Sequence, residues 1–471
     1  MSDNTSKQKK KKTSTGLNPY ILLGCFVLAA ALLTYFIPAG SFERTAMEGV
    51  SKPVVVPGTY QQVESNPTSI STLLGSVNRG MVDAGMIIFL VFASTGAFAI
   101  FQATGAFNNG IGLMLKKLNK SKIPESFVLL LMVFLFSFLG YVSGPDGLIP
   151  FTLVACMISV GLGYDLAVGL ALILAGSGVG FSMSAINAAV VGTPQSIVGL
   201  PLFSGAGFRT LMWLVETLIV GFIIILYARR VKKNKEKSIC KGIDTTGLAL
   251  DDNLDSYKID KSQGMVLLIF LFMCIMMVVG SLKFGWYLNE IGGLNIVCGI
   301  AAGLVAKKKL KETIEIFVKG AATTAGVALL IGLARAIQAI FEDAFVLDTI
   351  IQVVSGPLSQ LSPSIAAMFI SGITAVVHIF ITSGSGLSVA MMPILGPIGQ
   401  IVGLTAQTTV LAFQVGGSAL NMITPTLGST MAMCGMSRVP FSKWFKFGLQ
   451  IAIPVYLVAS IFILIAVRIG F

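Results

Sequence analysis

Two four-residue patterns carry polar side chains into otherwise apolar stretches of the chain: Ser184-Ala185-Ile186-Asn187 and Ser418-Ala419-Leu420-Asn421. Each is followed by a Thr-Pro pair, Thr193-Pro194 after the first and Thr424-Pro425 after the second. Upstream of each lies another matched pair, Ser143-Gly144-Pro145-Asp146-Gly147 and Ser383-Gly384-Ser385-Gly386. Small polar residues, glycines and a proline within membrane-length segments predict helices that break at depth. A broken helix offers free N–H groups and partial positive charge at its N-terminal end, suited to a carboxylate, and free carbonyls at its C-terminal end, suited to a cation such as Na⁺. Ser143, Asp146, Ser184, Asn187, Thr193, Ser383, Ser385, Ser418, Asn421 and Thr424, with Thr426 beside the last, are the candidate substrate-binding residues. A lone Ser in such a helix more often only glues helices together. Packing alone, however, does not require the same polar set in both halves.

Ionisable residues inside apolar segments are costly and usually functional. Arg335 can pair with a substrate carboxylate or, equally well on the sequence, with Glu342 or Asp343 at the end of its helix. Asp146 can bind a cation, a proton or a substrate amine, or simply form a turn after Pro145. Glu216 is a weaker candidate. His378, the sole histidine, can relay a proton, although a packed, hydrogen-bonded ring is the plainer reading.

The elements that must position these residues follow from composition. Hydrophobic residues make up 55% of the chain and charged ones 11%, and many apolar stretches reach the roughly 20 residues that cross a bilayer as helix. No long period-two alternation suggests an outer-membrane barrel. The net charge of +12 does not point to nucleic acid, because Lys and Arg cluster in short loops beside apolar segments, the orienting signal of inner-membrane proteins. The six cysteines show no paired spacing. The predicted fold is an all-α polytopic membrane protein with about nine transmembrane spans, two of them broken, and two re-entrant helical hairpins.

In order, residues 1–19 form a basic cytoplasmic tail, and 20–228 a first repeat with a hairpin at 125–163 and a broken helix at 166–200. Residues 229–263 form a cytoplasmic linker and 264–290 a connector span. Residues 291–471 form a second repeat with a hairpin at 362–402 and a broken helix at 405–436. The first span is read as retained, since Ile37-Pro38-Ala39-Gly40 is a poor cleavage site. With the N-terminus inside, most of the basic residues fall on the cytoplasmic side. The first hairpin then opens from the cytoplasm and the second from outside, so the repeats are inverted. The implied location is the bacterial cytoplasmic membrane.

Several stretches carry a family resemblance: Ile37-Pro38-Ala39-Gly40-Ser41-Phe42-Glu43-Arg44, Gly199-Leu200-Pro201-Leu202-Phe203-Ser204-Gly205, Gly332-Leu333-Ala334-Arg335, Ser383-Gly384-Ser385-Gly386 and Val410-Leu411-Ala412-Phe413-Gln414. Together they resemble the YfcC branch of the DcuC-like carriers, within the ion-transporter superfamily. That resemblance implies inverted repeats with two hairpins and two broken helices, and transport of organic anions or amino acids, from C4-dicarboxylates to arginine/ornithine exchange. It also implies a homodimer built on a scaffold. Pro145-Asp146-Gly147-Leu148-Ile149-Pro150-Phe151 departs from the family's pattern by holding one acidic residue where relatives carry two, which weakens the carry-over of specificity for basic amino acids.

The sequence holds no metalloprotease, P-loop or nucleophile-elbow motif, so an enzyme is not expected, nor a cofactor. Gly176-Ser177-Gly178-Val179-Gly180 lies within a span and lacks the strand and turn of a nucleotide loop. The expected function is secondary active transport of a small carboxylate-bearing metabolite by alternating access, as an exchanger or coupled to Na⁺ or H⁺. An ion or anion channel is the alternative with the same architecture.

Overall fold

The computed structural model describes residues 19–47, 53–121, 123–248 and 257–471; the predicted basic tail and the middle of the linker lie outside them. The first half opens with α1 (Pro19–Leu33), followed by short strands β1 (Gly40–Ser41), β2 (Arg44–Thr45), β3 (Val54–Val55) and β4 (Gln61–Gln62). β1 pairs antiparallel with β4, and β2 with β3. Next come α2 (Ile70–Asp83), α3 (Gly85–Ala103), α4 (Ala106–Lys120) and the first hairpin, α5 (Glu125–Ser143) with α6 (Thr152–Gly161). The broken helix is built from α7 (Leu166–Leu170), α8 (Gly176–Ser182) and α9 (Thr193–Ile197), with π-helical turns at 171–175 and 188–192, and α10 (Ala206–Lys233) closes the half.

The connector α11 (Lys261–Lys283) leads to α12 (Leu288–Val305), α13 (Leu310–Ala322), α14 (Ala325–Asp343) and α15 (Leu347–Ser355). The second hairpin is α16 (Pro363–His378) with α17 (Gly384–Ile401). The second broken helix is α18 (Ala406–Ser418) with α19 (Gly428–Met436), and α20 (Phe441–Ile469) ends the chain. The order apolar helix, amphipathic helix, apolar helix, amphipathic helix, hairpin, broken helix, apolar helix therefore occurs twice, with α11 between. Among the described residues seven helices are long and apolar enough to cross a membrane: α3, α5, α10, α11, α12, α14 and α20. Six of them match predicted continuous spans, while α5 is a hairpin arm. The remaining predicted spans are the short α1 and the two broken helices. The strand pairs at 40–62 and the helices α4 and α15 are additions to the sequence reading. Both helices are amphipathic pieces too short for the span pattern.

Packing repeats with the order. α2 and α1 lie against α14, and α13 and α12 lie against α3, so each half's third helix is clasped by the other half. The first arm of each hairpin packs along the first part of its own broken helix, α5 on α8 and α16 on α18. Glycine makes this close approach possible. A Cβ on Gly180 would overlap the Ser137 carbonyl, one on Gly140 the Ser177 carbonyl, and one on Gly416 the Ser371 carbonyl. Without a hydrophobic drive between helices in lipid, such small-residue contacts carry much of the association. The first hairpin also turns on a glycine: Gly144 (φ +81°) caps α5, its N–H donating to Gly140 O at 2.8 Å.

Gly180→Val and Gly416→Val should each lower the thermal unfolding midpoint in detergent, at the roughly 1–3 kcal/mol typical of overpacking. Gly372→Ala, where nothing lies within 4 Å of the new Cβ, should leave it unchanged.

Candidate functional site

The hairpin tips and helix breaks meet around one cavity of about 480 Å³. The first hairpin contributes Ser143 and Asp146, the first broken helix Asn187, the second hairpin Ser383 and Ser385, the second broken helix Asn421 and Thr426, and α14 contributes Arg335. These are the candidates that the structure brings together. Helix N-termini open onto the same space at Asp146, at Ser383–Gly384 and at Leu427–Gly428. Ser383 caps α17 by accepting from the Gly386 N–H at 3.3 Å, and Asn187 Oδ1 accepts from the Ala189 N–H at 3.0 Å.

Arg335 has no carboxylate within ion-pair distance among the described residues. Its guanidinium donates to Gln338 Oε1 and, at 3.2 Å, to Thr382 Oγ1. Glu342 and Asp343, its rival partners on the sequence, are instead paired with Arg79 of α2. Arg335 therefore faces the cavity with its charge unmatched. Asp146 accepts from the Tyr287 hydroxyl at a long 3.4 Å and lines the same cavity as Arg335. Sequence reasoning missed Asp83, which also lines the cavity at the end of α2, 3.7 Å from Arg79 Nε. On the sequence it looks like the polar face of an amphipathic helix.

The four other candidates stand outside the cavity. Ser184 is fully buried: its hydroxyl donates to Tyr141 O at 2.7 Å and accepts from the Ile186 and Asn187 N–H groups at 3.2 and 3.0 Å. It ties the first break to the first hairpin. Ser418 donates to Gln414 O at 2.6 Å and Thr424 to Leu420 O at 2.9 Å, both bonds within their own turn of chain. Thr193 begins α9 and does not reach the cavity wall. Glu216 is buried in α10 with both carboxyl oxygens unpartnered.

Sequence reasoning also passed over the residues that complete the first break. Gln414 of α18 donates to Ser182 O at 3.0 Å and to Ser184 O at 2.7 Å, the carbonyls left open where α8 stops. Its Oε1 in turn accepts from Arg209 Nε at 2.9 Å. Arg209 is fully buried and also donates to Ser204 O at 2.9 Å and Gln407 Oε1 at 3.1 Å. One glutamine thus fastens the two broken helices to each other. Only tertiary structure reveals this, although Gln414 stood within a quoted motif.

Apolar helices enclosing two hairpins and two broken helices around a polar cavity define a multi-pass membrane transporter. The C4-dicarboxylate anaerobic carrier (DcuC) family matches residues 18–468, and the chain belongs to that family. It is 30% identical, over 82% of its length and 78% of the relative's, to YfcC of Escherichia coli strain K12, a protein named provisionally as a basic amino acid antiporter. It is 25% identical to an uncharacterised protein of Haemophilus influenzae across 98% of both chains. Among solved structures there are distant likenesses to the YdaH transporter of Alcanivorax borkumensis (14% identity, 96% of this chain and 99% of that one, TM-score 0.42). A similar likeness is to MtrF of Neisseria gonorrhoeae, described within a class of antimetabolite efflux pumps (15% identity, 97% and 96%, TM-score 0.42).

Gln414→Leu leaves two carbonyls and a buried guanidinium short of partners. It should lower the unfolding midpoint by the equivalent of about 2 kcal/mol or more. Ser418→Ala, which removes a bond to its own helix and a long 3.5 Å contact to Ser182 O, should lower the midpoint less.

Proposed function

We propose that this transporter carries basic amino acids, arginine or ornithine in type, across the bacterial cytoplasmic membrane by alternating access. The observation that carries the reading is the charge set of the cavity: a guanidinium without an ion-paired carboxylate, Arg335, facing Asp146, with a further carboxylate, Asp83, shared with Arg79 at 3.7 Å. A basic amino acid is the complement of that set, with one carboxylate and two cations. Its carboxylate would lie at Arg335, near the Ser383 and Ser385 hydroxyls and the N-terminus of α17, where the helix dipole favours negative charge. Its cations would lie toward Asp146 and Asp83. The name of the Escherichia coli relative supports the same class. The one acidic residue at the first hairpin tip is joined at the cavity wall by Asp83 from a different helix, a carboxylate that Arg79 already shares.

A C4-dicarboxylate would bring two carboxylates to a cavity lined by one guanidinium, Arg335, and by Asp146. Asp83 and Tyr287 stand on segments that the charge bias assigns to the outer face, so the cavity is read as opening outward, with the N-terminus inside. Movement of the hairpins against α3, α10, α14 and α20 would expose it to the other side.

Proteoliposomes should take up labelled arginine, faster when preloaded with ornithine, and take up little succinate. Asp146→Asn should weaken apparent arginine affinity by about tenfold or more, since it removes one partner of a desolvated charge pair. Arg335→Lys keeps the charge but loses the planar fork and should also weaken it. Preferred uptake of succinate, or unchanged arginine affinity in both variants, would refute the assignment.

A further inference from the structure

Away from the transport cavity, a shallow cleft of about 460 Å³ lies where both arms of the first hairpin meet the end of α10. Its wall consists of Glu125 and Ser126 from the first turn of α5, Tyr164 from the loop after α6, and Arg229, Lys232 and Lys233 from the last turns of α10. Three cations therefore stand against one carboxylate. That carboxylate is already taken. Glu125 accepts from Lys232 Nζ at 2.6 and 2.5 Å and from the Tyr164 hydroxyl at 2.7 Å. Lys232 also donates to Leu162 O at 3.3 Å, and its ammonium lies 5.3 Å from the centre of the Tyr164 ring, a cation–π contact. Asp165, in the same loop, accepts from Tyr227 and Ser238 at 2.6 and 2.5 Å and is not part of the wall.

What remains is positive. Among the described residues neither Arg229 nor Lys233 has a carboxylate within ion-pair distance. The Nε and Nη2 groups of Arg229 both donate to one neutral oxygen, Ser126 Oγ, at 3.2 and 2.9 Å. A guanidinium edge closed on a single hydroxyl has the shape for an acceptor with two oxygens, such as a phosphate. Lys233 is exposed and lies one turn further along the same face of α10.

The setting selects the kind of phosphate. α5 and α10 are both long and apolar enough to cross a membrane, and they pack against each other. The cleft at their ends therefore sits at the boundary between membrane and water, on the side that the charge bias assigns to the cytoplasm. Just inside it, α5 exposes Phe127 and Leu131, and α10 exposes Leu226 and Phe222. In a bilayer such side chains face acyl chains. A ligand that joins a phosphate to acyl chains meets both surfaces, and basic pockets between spanning helices are where anionic headgroups bind.

We propose that this cleft binds the headgroup phosphate of an anionic phospholipid, with Arg229 and Lys233 on the phosphate oxygens and the acyl chains along the outer faces of α5 and α10. Lys232 keeps its bond to Glu125. Because the cleft joins both ends of the first hairpin to α10, a lipid seated there braces the base of the element whose tip carries Asp146. The site does not depend on which substrate the cavity takes.

Native mass spectrometry of the full chain, with dioleoyl-phosphatidylglycerol or dioleoyl-phosphatidylcholine added in detergent, measures the binding directly. The protein should hold phosphatidylglycerol about tenfold or more tighter than phosphatidylcholine, and the double variant Arg229→Gln/Lys233→Gln should lose most of that preference. Lys235→Gln/Lys237→Gln removes the same charge from the neighbouring 3₁₀ turn, outside the cleft wall, and should keep it. Equal binding of the two lipids overturns the proposal. So does an equal loss in both double variants, which would make the preference a general attraction to the basic run. In thermal unfolding, phosphatidylglycerol should raise the midpoint and inorganic phosphate should not; an equal rise with both would make this a site for soluble anions and overturn the lipid assignment. If Arg229→Gln/Lys233→Gln does not fold, Lys233→Gln alone, which leaves the Ser126 contact in place, should weaken phosphatidylglycerol about fivefold, and unchanged binding there refutes the site.

Discussion

A helix interrupted inside hydrocarbon leaves backbone groups that lipid cannot satisfy, at a cost of several kcal/mol for each one left bare. This protein contains two such interruptions and closes both with side chains drawn from elsewhere in the chain. At the first, Gln414 takes the carbonyls of Ser182 and Ser184, while the Ser184 hydroxyl receives two N–H groups. At the second, the Trp444 indole donates to Met422 O at 2.6 Å, and Thr430 donates to Asn421 O at 2.8 Å. Thr426 reaches across to Ile379 O, where α16 ends, at 2.7 Å. Much of the polar character of the core exists to meet this one demand.

The same demand gathers the site. Each hairpin's return helix packs on the far part of the other repeat's broken helix, α17 against α9 and α6 against α19. Ser388 of α17 donates both to Gly384 O of its own helix and to Ala189 O of the first repeat. Where four interrupted segments converge, the remaining polar groups have only one another and the enclosed space to face. The cavity lies there; Arg335 enters it from α14, which the first repeat clasps, and Asp83 from α2, one of the helices that clasp it.

The architecture was legible because breaks and repeats leave marks in one dimension: Ser, Gly and Pro where lipid-facing helices would carry Leu, and the same marks twice. Asn187 and Asn421 were found this way, and both line the cavity. Ser418 and Thr424 carry the identical mark yet bond backbone carbonyls of their own turns, a common habit of hydroxyls in helices that spacing does not distinguish from ligand binding. Asp83 was missed for the opposite reason, since an acidic residue at the exposed end of an amphipathic helix resembles a solvated face. Arg209 and Gln414 lie about half a chain apart, and only folding makes them partners. The pairing of Arg79 with Glu342 and Asp343, which leaves Arg335 unmatched, was hidden likewise.

The bond between Gln414 and Ser184 also has a bearing on how the protein is made. The two residues are separated by 230 positions, and ribosomes add roughly 5–20 residues per second. The first broken helix therefore enters the bilayer on the order of 10 to 50 s before the side chain that completes it has been synthesised. During that interval its open carbonyls must be sheltered by the insertion machinery, by water drawn into the membrane or by provisional contacts with α5 and α10. The N-terminal half is thus a dependent partner during synthesis, and the nascent chain stays open to quality control until α18 arrives.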